Sequence, residues 1–189
     1  MIHKQTRIIG LVGPKGSGKG IVAAYLKKHY GARVLKFVDL LNDILDLLHV
    51  RRTRINQINL GLGLRRAFSP SVLAQALAAT RYSNRSRLVV IDGIRFSADY
   101  APWRHRSEFT LIALTANLRR RFQRIRRRGE TAEEKTLSYA KFLQEEKLST
   151  ERAIARTSRM AHFTINANGS KQSVYRQVDR IAASLGIQR

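Results

Sequence analysis

The chain has no cysteine, few acidic residues and no long apolar segment, and each absence excludes a class of protein. Without cysteine among its 189 residues, it can form neither a disulfide nor a zinc site built on thiolates. No apolar run approaches the length that crosses a membrane, and residues 1–5 lack the apolar core of a signal peptide. We therefore expect a soluble protein with no membrane partner, located in the reducing cytoplasm.

The scarcity of acidic residues leaves a large positive charge. Only 13 Asp and Glu oppose 36 Lys and Arg, and the formal net charge is +23. A nucleotide pocket needs only a few cations, so the surplus indicates a surface for RNA or the ribosome, or a basic composition without a specific role. Composition alone leaves both explanations open.

A glycine-rich segment, GPKGSGKG at 13–20, lies between the first apolar run and a helical pattern. In a P-loop with this spacing, backbone N–H groups enclose the phosphates, and the lysine, here Lys19, reaches the β- and γ-phosphates. A ligand-free turn is the alternative, but the flanking strand and helix patterns favour nucleotide binding. The residues predicted to contact the nucleotide are Gly13, Lys15, Gly16, Ser17, Gly18, Lys19, Gly20 and Ile21.

The loop departs from the usual pattern directly after its lysine. Most P-loops have Ser or Thr there, and its hydroxyl helps to hold Mg²⁺. Gly20 and Ile21 offer no oxygen ligand. Magnesium would then be held by phosphates, water and a distant carboxylate, or metal-dependent turnover would be weak or lost.

Short apolar runs alternate with longer helical patterns along the chain. Nearly continuous apolar runs are typical of strands buried on both faces. The alternation predicts one α/β domain over 1–189 with a P-loop NTPase fold: a five-stranded, mainly parallel sheet, helices on both faces, and ligands at the carboxyl ends of the strands. The predicted strands are 7–12, 33–37, 87–91, 109–114 and 162–166.

Two segments are too long to be simple connections between strands. Residues 39–86 contain three helical patterns and are predicted to form a helical subdomain on the acceptor side. Residues 129–160 form a second helical insertion, which with the preceding arginine-rich helix makes up a lid region at 119–160. We expect flaps that close over two substrates.

Two polar residues follow the third predicted strand. Asp92 comes directly after the apolar run and before Gly93, where a carboxylate can orient Mg²⁺ through water. A turn-forming Asp-Gly pair is the alternative. Arg95 would point into the same cleft and could pair with an acceptor phosphate, although it could equally be an ordinary surface arginine.

Three further residues are candidates for the acceptor side. Asp39 ends the second predicted strand and is either a helix cap or a catalytic group that positions the acceptor hydroxyl or takes its proton. Arg54 and Arg65 lie in the helical insertion and could hold the acceptor. Solvated surface charges are the alternative for both arginines.

Seven of the ten residues from 119 to 128 are arginine. Arg121, Arg124 and Arg128 are one or two helical turns apart, so they can share a face and bind one polyphosphate or stack on a base. Because packed like charges repel each other, an anion is expected there; a solvated or RNA-contacting face is the alternative. A weaker signal is the polar turn with Asn168 and Gly169, whose backbone could border an adenine ring.

Several segments taken together resemble the nucleoside monophosphate kinase branch of P-loop proteins. The nearest likeness is to dephospho-CoA kinase and deoxynucleoside monophosphate kinases, and adenylate kinase is a further relative. The resemblance rests on the loop at 13–20, KFVDLLNDIL at 36–45, VVIDGIR at 89–95, the arginine helix, and FTINANGS at 163–170.

The resemblance implies ATP as phosphoryl donor and Mg²⁺ as cofactor, with Lys19 on the phosphates. It implies that Asp39 and Arg95 serve the acceptor and that Asp92 orients the metal. It also implies Arg124 beside the adenine, with the turn of Asn168 and Gly169, and Arg128 near the transferring phosphates.

Two functions remain open from the sequence. The first is ATP-dependent transfer of a phosphoryl group to a nucleotide-like acceptor, such as a nucleoside monophosphate or dephospho-CoA, catalysed by Lys19, Asp92, Arg128 and Asp39. The second is a nucleotide-binding protein associated with RNA or the ribosome, which keeps the kinase-like fold and has weak or no catalysis.

Overall fold

A five-stranded parallel sheet forms the centre of the protein. The computed structural model describes residues 6–79, 86–130 and 132–189, apart from the side chains of residues 54, 132, 149 and 150. The strand order is β2-β3-β1-β4-β5, and every neighbouring pair is parallel. The strands are β1 Arg7–Val12, β2 Arg33–Lys36, β3 Leu88–Ile94, β4 Phe109–Thr115 and β5 Phe163–Asn166.

Helices cover both faces of this sheet. Successive residues of a strand point to opposite faces, so Ile8 packs in one core cluster with α2, α4 and α8, and Ile9 packs in the other with α1 and α9. The five-stranded parallel sheet and the helices on both faces confirm the predicted fold class. The helices are α1 Lys19–Tyr30, α2 Phe37–Leu47, α3 Arg54–Ala67, α4 Val72–Ala79, α5 Leu118–Arg128, α6 Ala132–Lys135, α7 Tyr139–Glu145, α8 Ser149–Ser158 and α9 Lys171–Ser184.

The predicted acceptor-side insertion contains α2, α3 and α4. Helix α2 starts immediately after β2, because Phe37, Leu41 and Leu45 repeat at a spacing of four residues and are all buried. The expectation that Asp39 ends the second strand is therefore wrong. Asp39 lies inside the first turn of α2, and Lys36 occupies the cap position, so Asp39 is not the helix cap either.

The predicted lid region contains α5 to α8. Ile125 of α5 packs with Leu137 and Phe142 in a small separate cluster. Helix α8, in contrast, is joined to the main core: Ile154 is buried there, and the Thr157 hydroxyl donates a 3.0 Å hydrogen bond to the Arg95 carbonyl. The second half of this region is therefore anchored on the sheet.

Among the residues described, no helix combines the length and the apolar character that crossing a bilayer requires.

Candidate functional site

The loop between β1 and α1 lies at the carboxyl end of the central strand, and its glycines are required by its shape. Gly13, Gly16 and Gly18 have positive φ angles of 154°, 77° and 102°, which side chains rarely adopt. A Cβ on Gly13 would lie 2.6 Å from the carbonyl oxygen of Leu114, and one on Gly16 would lie 2.8 Å from that of Arg121. The loop is thus packed tightly against β4 and α5.

Lys19 begins α1 and its side chain folds back over the loop. Its Nζ donates hydrogen bonds to the carbonyls of Gly13 at 2.6 Å and Pro14 at 3.1 Å. Burial lowers the pKa of Lys19 to about 8, although the carboxylates of Asp92 and Glu151 oppose the change. With this pKa the amine is still mostly protonated at pH 7, and a bound anion would stabilise the charged form that burial disfavours.

Two predicted carboxylates meet near this lysine. Asp92 lies within β3, in register with Leu11 of β1 and Lys36 of β2, because the strand extends beyond the predicted end. Burial raises the pKa of Asp92, Lys19 and Lys36 lower it, and the nearby carboxylate of Asp39 raises it again. The structure therefore brings Asp39 and Asp92 to the same end of the sheet as the loop.

The described part of the chain contains no cluster of three Asp, Glu, His or Cys side chains that could hold a metal ion. Gly20 is exposed in open space, and Ile21 beside it carries no oxygen. A metal at this site would therefore depend on phosphate and water oxygens, with Asp92 as an outer oxygen acceptor.

A cavity of about 220 Å³ opens beside Asp92, between β3, α2 and α3. Its apolar wall includes Phe37 and Leu41, and three cations line it: Lys36, Arg65 and Arg95. The predicted acceptor residues Arg65 and Arg95 are thus brought together. Arg54 starts α3, but its side chain lies outside the described residues.

Arg65 is held in place by a residue that sequence reasoning missed. Asp99 is only 1% exposed. Its carboxylate accepts hydrogen bonds from the backbone N–H groups of Arg95 at 2.9 Å and Phe96 at 3.0 Å, and from Arg65 Nη2 at 2.5 Å. The Arg65 guanidinium also lies over the Phe96 ring at 5.3 Å. An isolated Asp in a short turn after a strand carries no signal of this role.

The arginines of α5 have different partners. Arg121 is buried, and its two Nη atoms donate to Glu146 at 2.5 and 2.6 Å, while its Nε donates to the Lys15 carbonyl at 2.8 Å. Arg124 donates to the Ala167 carbonyl at 2.6 Å. Arg121 therefore supports the loop through the Lys15 carbonyl, and the carboxylate of Glu146 balances its charge.

Arg128 and Lys15 share one carboxylate. Glu134 lies 2.7 Å from Arg128 Nη2 and 3.0 Å from Lys15 Nζ. These contacts hold the pKa of Glu134 at about 2, against the effect of burial, which raises it. Glu146 and Glu134 thus offset the charges of Arg121 and Arg128, whereas Arg124 has, among the described residues, only the carbonyls of Gly16 and Ala167 as partners.

The polar turn after β5 lies beside the loop. The Ala167 methyl group is within 3.7 Å and Arg124 Nη1 within 3.9 Å of a Cβ built on Gly18. Asn168 accepts a 2.8 Å hydrogen bond from the Asn117 N–H, and Gly169 lines a narrow cleft with Gly18 and Ile21. Arg124 and the turn thus form one wall beside the phosphate loop.

Two buried oxygens lie near the loop, on Ser17, which is among the predicted nucleotide contacts, and on Glu151, which had no signal in the sequence. Ser17 is fully buried, and its hydroxyl has no hydrogen-bond partner among the described residues. The same holds for Oε2 of Glu151, in the first turn of α8. Both oxygens keep unused hydrogen-bonding capacity.

The chain is similar to known proteins in both sequence and fold. A relative named UPF0200 protein PH1008, from Pyrococcus horikoshii, is 26% identical over 183 residues, which cover 94% of this chain and 97% of the relative. Among solved structures, shikimate kinase from Acinetobacter baumannii aligns with a TM-score of 0.60 at 19% identity, covering 97% of this chain and 95% of that one.

A deoxyadenosine kinase from M. mycoides aligns with a TM-score of 0.55 at 13% identity, covering 94% of this chain and 99% of that one. At such low identity these alignments establish the fold, which is that of P-loop kinases. Residues 9–152, most of the chain, match the AAA domain family. The protein is therefore a member of the AAA domain family with a P-loop kinase-like fold.

Proposed function

We propose that the protein is a phosphotransferase that uses ATP and Mg²⁺ to phosphorylate a nucleotide-like acceptor, of the nucleoside monophosphate or dephospho-CoA type. The observation that carries this proposal is the position of Asp92, which lies beside Lys19 of the phosphate loop and also lines the cationic cavity. A donor site and an acceptor site that meet at one carboxylate suit direct transfer between two bound substrates.

On the donor side, the loop would hold the ATP phosphates with its backbone N–H groups and the N-terminus of α1. Lys19 would exchange its bonds to Gly13 and Pro14 for bonds to phosphate oxygens, which restores the charge that burial disfavours. Arg124 and the turn at Asn168 and Gly169 would border the adenine. The loop positions involved are Gly13, Lys15, Gly16, Ser17, Gly18, Gly20 and Ile21.

On the acceptor side, three cations line the cavity against two carboxylates, Asp92 and Asp99, and the positive excess favours an anionic group such as a phosphate. Arg65 is already oriented by Asp99 and needs no further ordering when the acceptor binds. Asp39 would lie next to the attacking hydroxyl, position it and take its proton. Arg128, which is 41% exposed at its side chain, can turn from Glu134 toward the transferring phosphoryl group.

The residues present fit a magnesium ion held mainly by ATP. Asp92 supplies an oxygen acceptor of the kind that Mg²⁺ hydration shells prefer, next to the lysine of the loop. When bound, the ion would neutralise charge that develops on the phosphates. Asp92 would orient it through water, and Lys19 would supply the fixed positive charge of the protein.

The test is ADP release from ATP and Mg²⁺ in the presence of separate acceptors: the ribo- and deoxyribonucleoside monophosphates and dephospho-CoA. We expect release that depends strongly on one acceptor or a small group of them. A Lys19→Ala preparation is the control for contaminating kinases. Equal ADP release without any acceptor would contradict the proposal and indicate a simple ATPase.

A second function, RNA or ribosome association, is supported by one observation. Four arginines on the outer side of α5 are exposed and form no salt bridge with any described residue: Arg119, Arg120, Arg126 and Arg127. Burial lowers the pKa of Arg124 and the nearby charge of Arg120 lowers it further, so this surface adjoins the arginines that face the loop. A cationic surface of this kind binds phosphate backbones with a strong dependence on salt, which is the measurement that tests it.

A further inference from the structure

A carboxylate on α8 faces the phosphate loop from the lid side. Glu151 lies in the first turn of this helix, and it is close enough to Lys19, Arg95 and Arg121 for all three cations to affect its ionisation. The helix is fixed by buried Ile154 and by the hydrogen bond from Thr157 to the Arg95 carbonyl. The position of Glu151 is thus determined by the core.

The Glu151 carboxylate lacks a partner for one of its oxygens. Oε2 is sealed from solvent and accepts no hydrogen bond from any described residue. Burial raises the pKa of Glu151, and the neighbouring Glu146 carboxylate adds to the rise, while Arg121, Arg95 and Lys19 oppose it. A buried acceptor without a partner is unfavourable, so the site has capacity for a donor that the described residues do not supply.

The chemistry around Lys19 limits what that donor can be. Phosphate oxygens of ATP are acceptors and would repel a carboxylate. Water bound to Mg²⁺ is a strong donor and is favoured by carboxylates. The loop also lacks the hydroxyl that normally helps to hold the metal, because Gly20 follows Lys19.

On the basis of the proposed function, we infer that Glu151 is a positioning residue whose carboxylate turns on the fixed helix, out of its buried position, and accepts a hydrogen bond from the hydration shell of the ATP-bound Mg²⁺. It thereby compensates, together with Asp92, for the missing hydroxyl after Lys19. In this arrangement the lid helix, and not the loop, provides the second oxygen acceptor for the metal. The same carboxylate repels ATP when the metal is absent.

These two effects have opposite signs, which makes the inference testable by binding alone. Glu151→Gln removes the negative charge and keeps the size of the side chain. It should tighten the binding of metal-free ATP, since a repulsion is removed. It should also reduce the gain in ATP affinity caused by Mg²⁺ by about tenfold, the lower end of the range seen when outer-shell partners of metals are replaced.

The experiment measures ATP affinity by calorimetry in Mg²⁺ and in EDTA at equal ionic strength, for the wild type, Glu151→Gln, Glu151→Asp and Glu108→Gln. Glu108 precedes β4 at the opposite end of the sheet, so its variant controls for the loss of one charge. Glu151→Asp keeps the charge with a shorter reach. It should retain the EDTA affinity of the wild type and lose part of the magnesium effect.

Each outcome decides the question. A magnesium effect that is the same in Glu151→Gln as in the wild type, or that is absent from the wild type, would overturn the inference. If Glu151→Gln does not fold, Glu151→Asp is compared with the wild type instead. An equal gain in ATP affinity from Mg²⁺ in Glu151→Asp and the wild type would then overturn the inference. Absence of ATP binding by folded wild type in both solutions would instead refute the proposed function.

Discussion

At the scale of single residues, the donor site is organised around one buried ammonium group. Among the described residues, Lys19 donates hydrogen bonds to two carbonyls of its own loop, and burial keeps its pKa at about 8. A charged group held this way contributes little to folding and is available for an incoming phosphate. These contacts of Lys19 therefore favour ligand binding more than they stabilise the fold.

The first prediction follows from that pKa. Above pH 8 the free protein increasingly carries neutral Lys19, whereas bound ATP favours the charged form. ATP affinity should therefore fall as the pH rises above about 8, and binding at pH 9 should take up protons. Calorimetry in two buffers of different ionisation enthalpy measures this uptake directly.

Two variants of Lys19 provide the controls. Lys19→Ala should weaken ATP binding by roughly one to two orders of magnitude, as expected for the loss of charge-assisted hydrogen bonds worth about 1.5–3 kcal/mol, and remove the proton uptake. Lys19→Met should unfold at a higher temperature than the wild type at pH 7. The folded pKa of about 8 lies below the ordinary value of 10.5, so the free energy of unfolding of the wild type increases as the pH rises from about 8 to about 10.5. The difference in unfolding temperature between Lys19→Met and the wild type should shrink over the same pH range. Unchanged proton uptake in Lys19→Ala would contradict this account.

Asp99 carries the second prediction, on the acceptor side. Asp99→Asn keeps the shape of the side chain but removes the charge that fixes Arg65. We expect the KM for the acceptor to rise about tenfold, a change of about 1.4 kcal/mol, while the KM for ATP stays the same. Steady-state kinetics with each substrate varied in turn gives both values.

Asp43→Asn is the matched control, because Asp43 is an exposed acid on α2 that does not line the cavity. It should leave both KM values unchanged. A rise in the KM for ATP in Asp99→Asn equal to that for the acceptor would mean that Asp99 supports the whole site rather than Arg65.

At the scale of secondary-structure elements, α5 separates two kinds of arginine. One face of the helix turns inward, and Arg121 there pairs with Glu146, 25 residues away along the chain. The opposite face carries exposed arginines such as Arg120. One short helix thus serves both as a support for the loop and as a charged surface.

The third prediction compares these two faces. Arg121→Ala should destabilise the protein by about 3–5 kcal/mol, because it leaves a largely buried Glu146 without its partner. The neighbouring Arg120→Ala should change the free energy of unfolding by less than about 0.5 kcal/mol. Urea denaturation of both variants tests the difference, and similar midpoints would show that Arg121 does not brace the loop.

The elements themselves could be predicted because the strands are apolar and short and the helices repeat at a regular spacing. The start of α2 was mispredicted by two residues, since Phe37 continues the apolar run of β2 and only the core shows that it already belongs to the helix. The inward role of Arg121 and the link from Arg65 to Asp99 could not be predicted. Their partners lie 25 and 34 residues away, and only tertiary structure joins them.

At the scale of the whole molecule, the charge of +23 exceeds what the nucleotide and acceptor sites use. Two of the carboxylates near the site are engaged in internal pairs, Glu146 with Arg121 and Glu134 with Arg128. The outer face of α5 keeps its charge unbalanced. Part of the surplus therefore lies on α5, the helix that also packs against the loop.

The fourth prediction concerns this outer face. If it binds RNA, the affinity for a single-stranded oligonucleotide should fall steeply as the salt concentration rises. A variant in which Gln replaces Arg119, Arg120, Arg126 and Arg127 should show a smaller slope of log K against log [salt]. The slope should decrease by up to about 0.7 for each phosphate that the variant no longer neutralises. ATP binding should not change. The matched control replaces four exposed arginines elsewhere, Arg104, Arg106, Arg159 and Arg176. Because both variants have the same net charge, an equal reduction in slope would show that overall charge, and not the α5 surface, attracts the RNA.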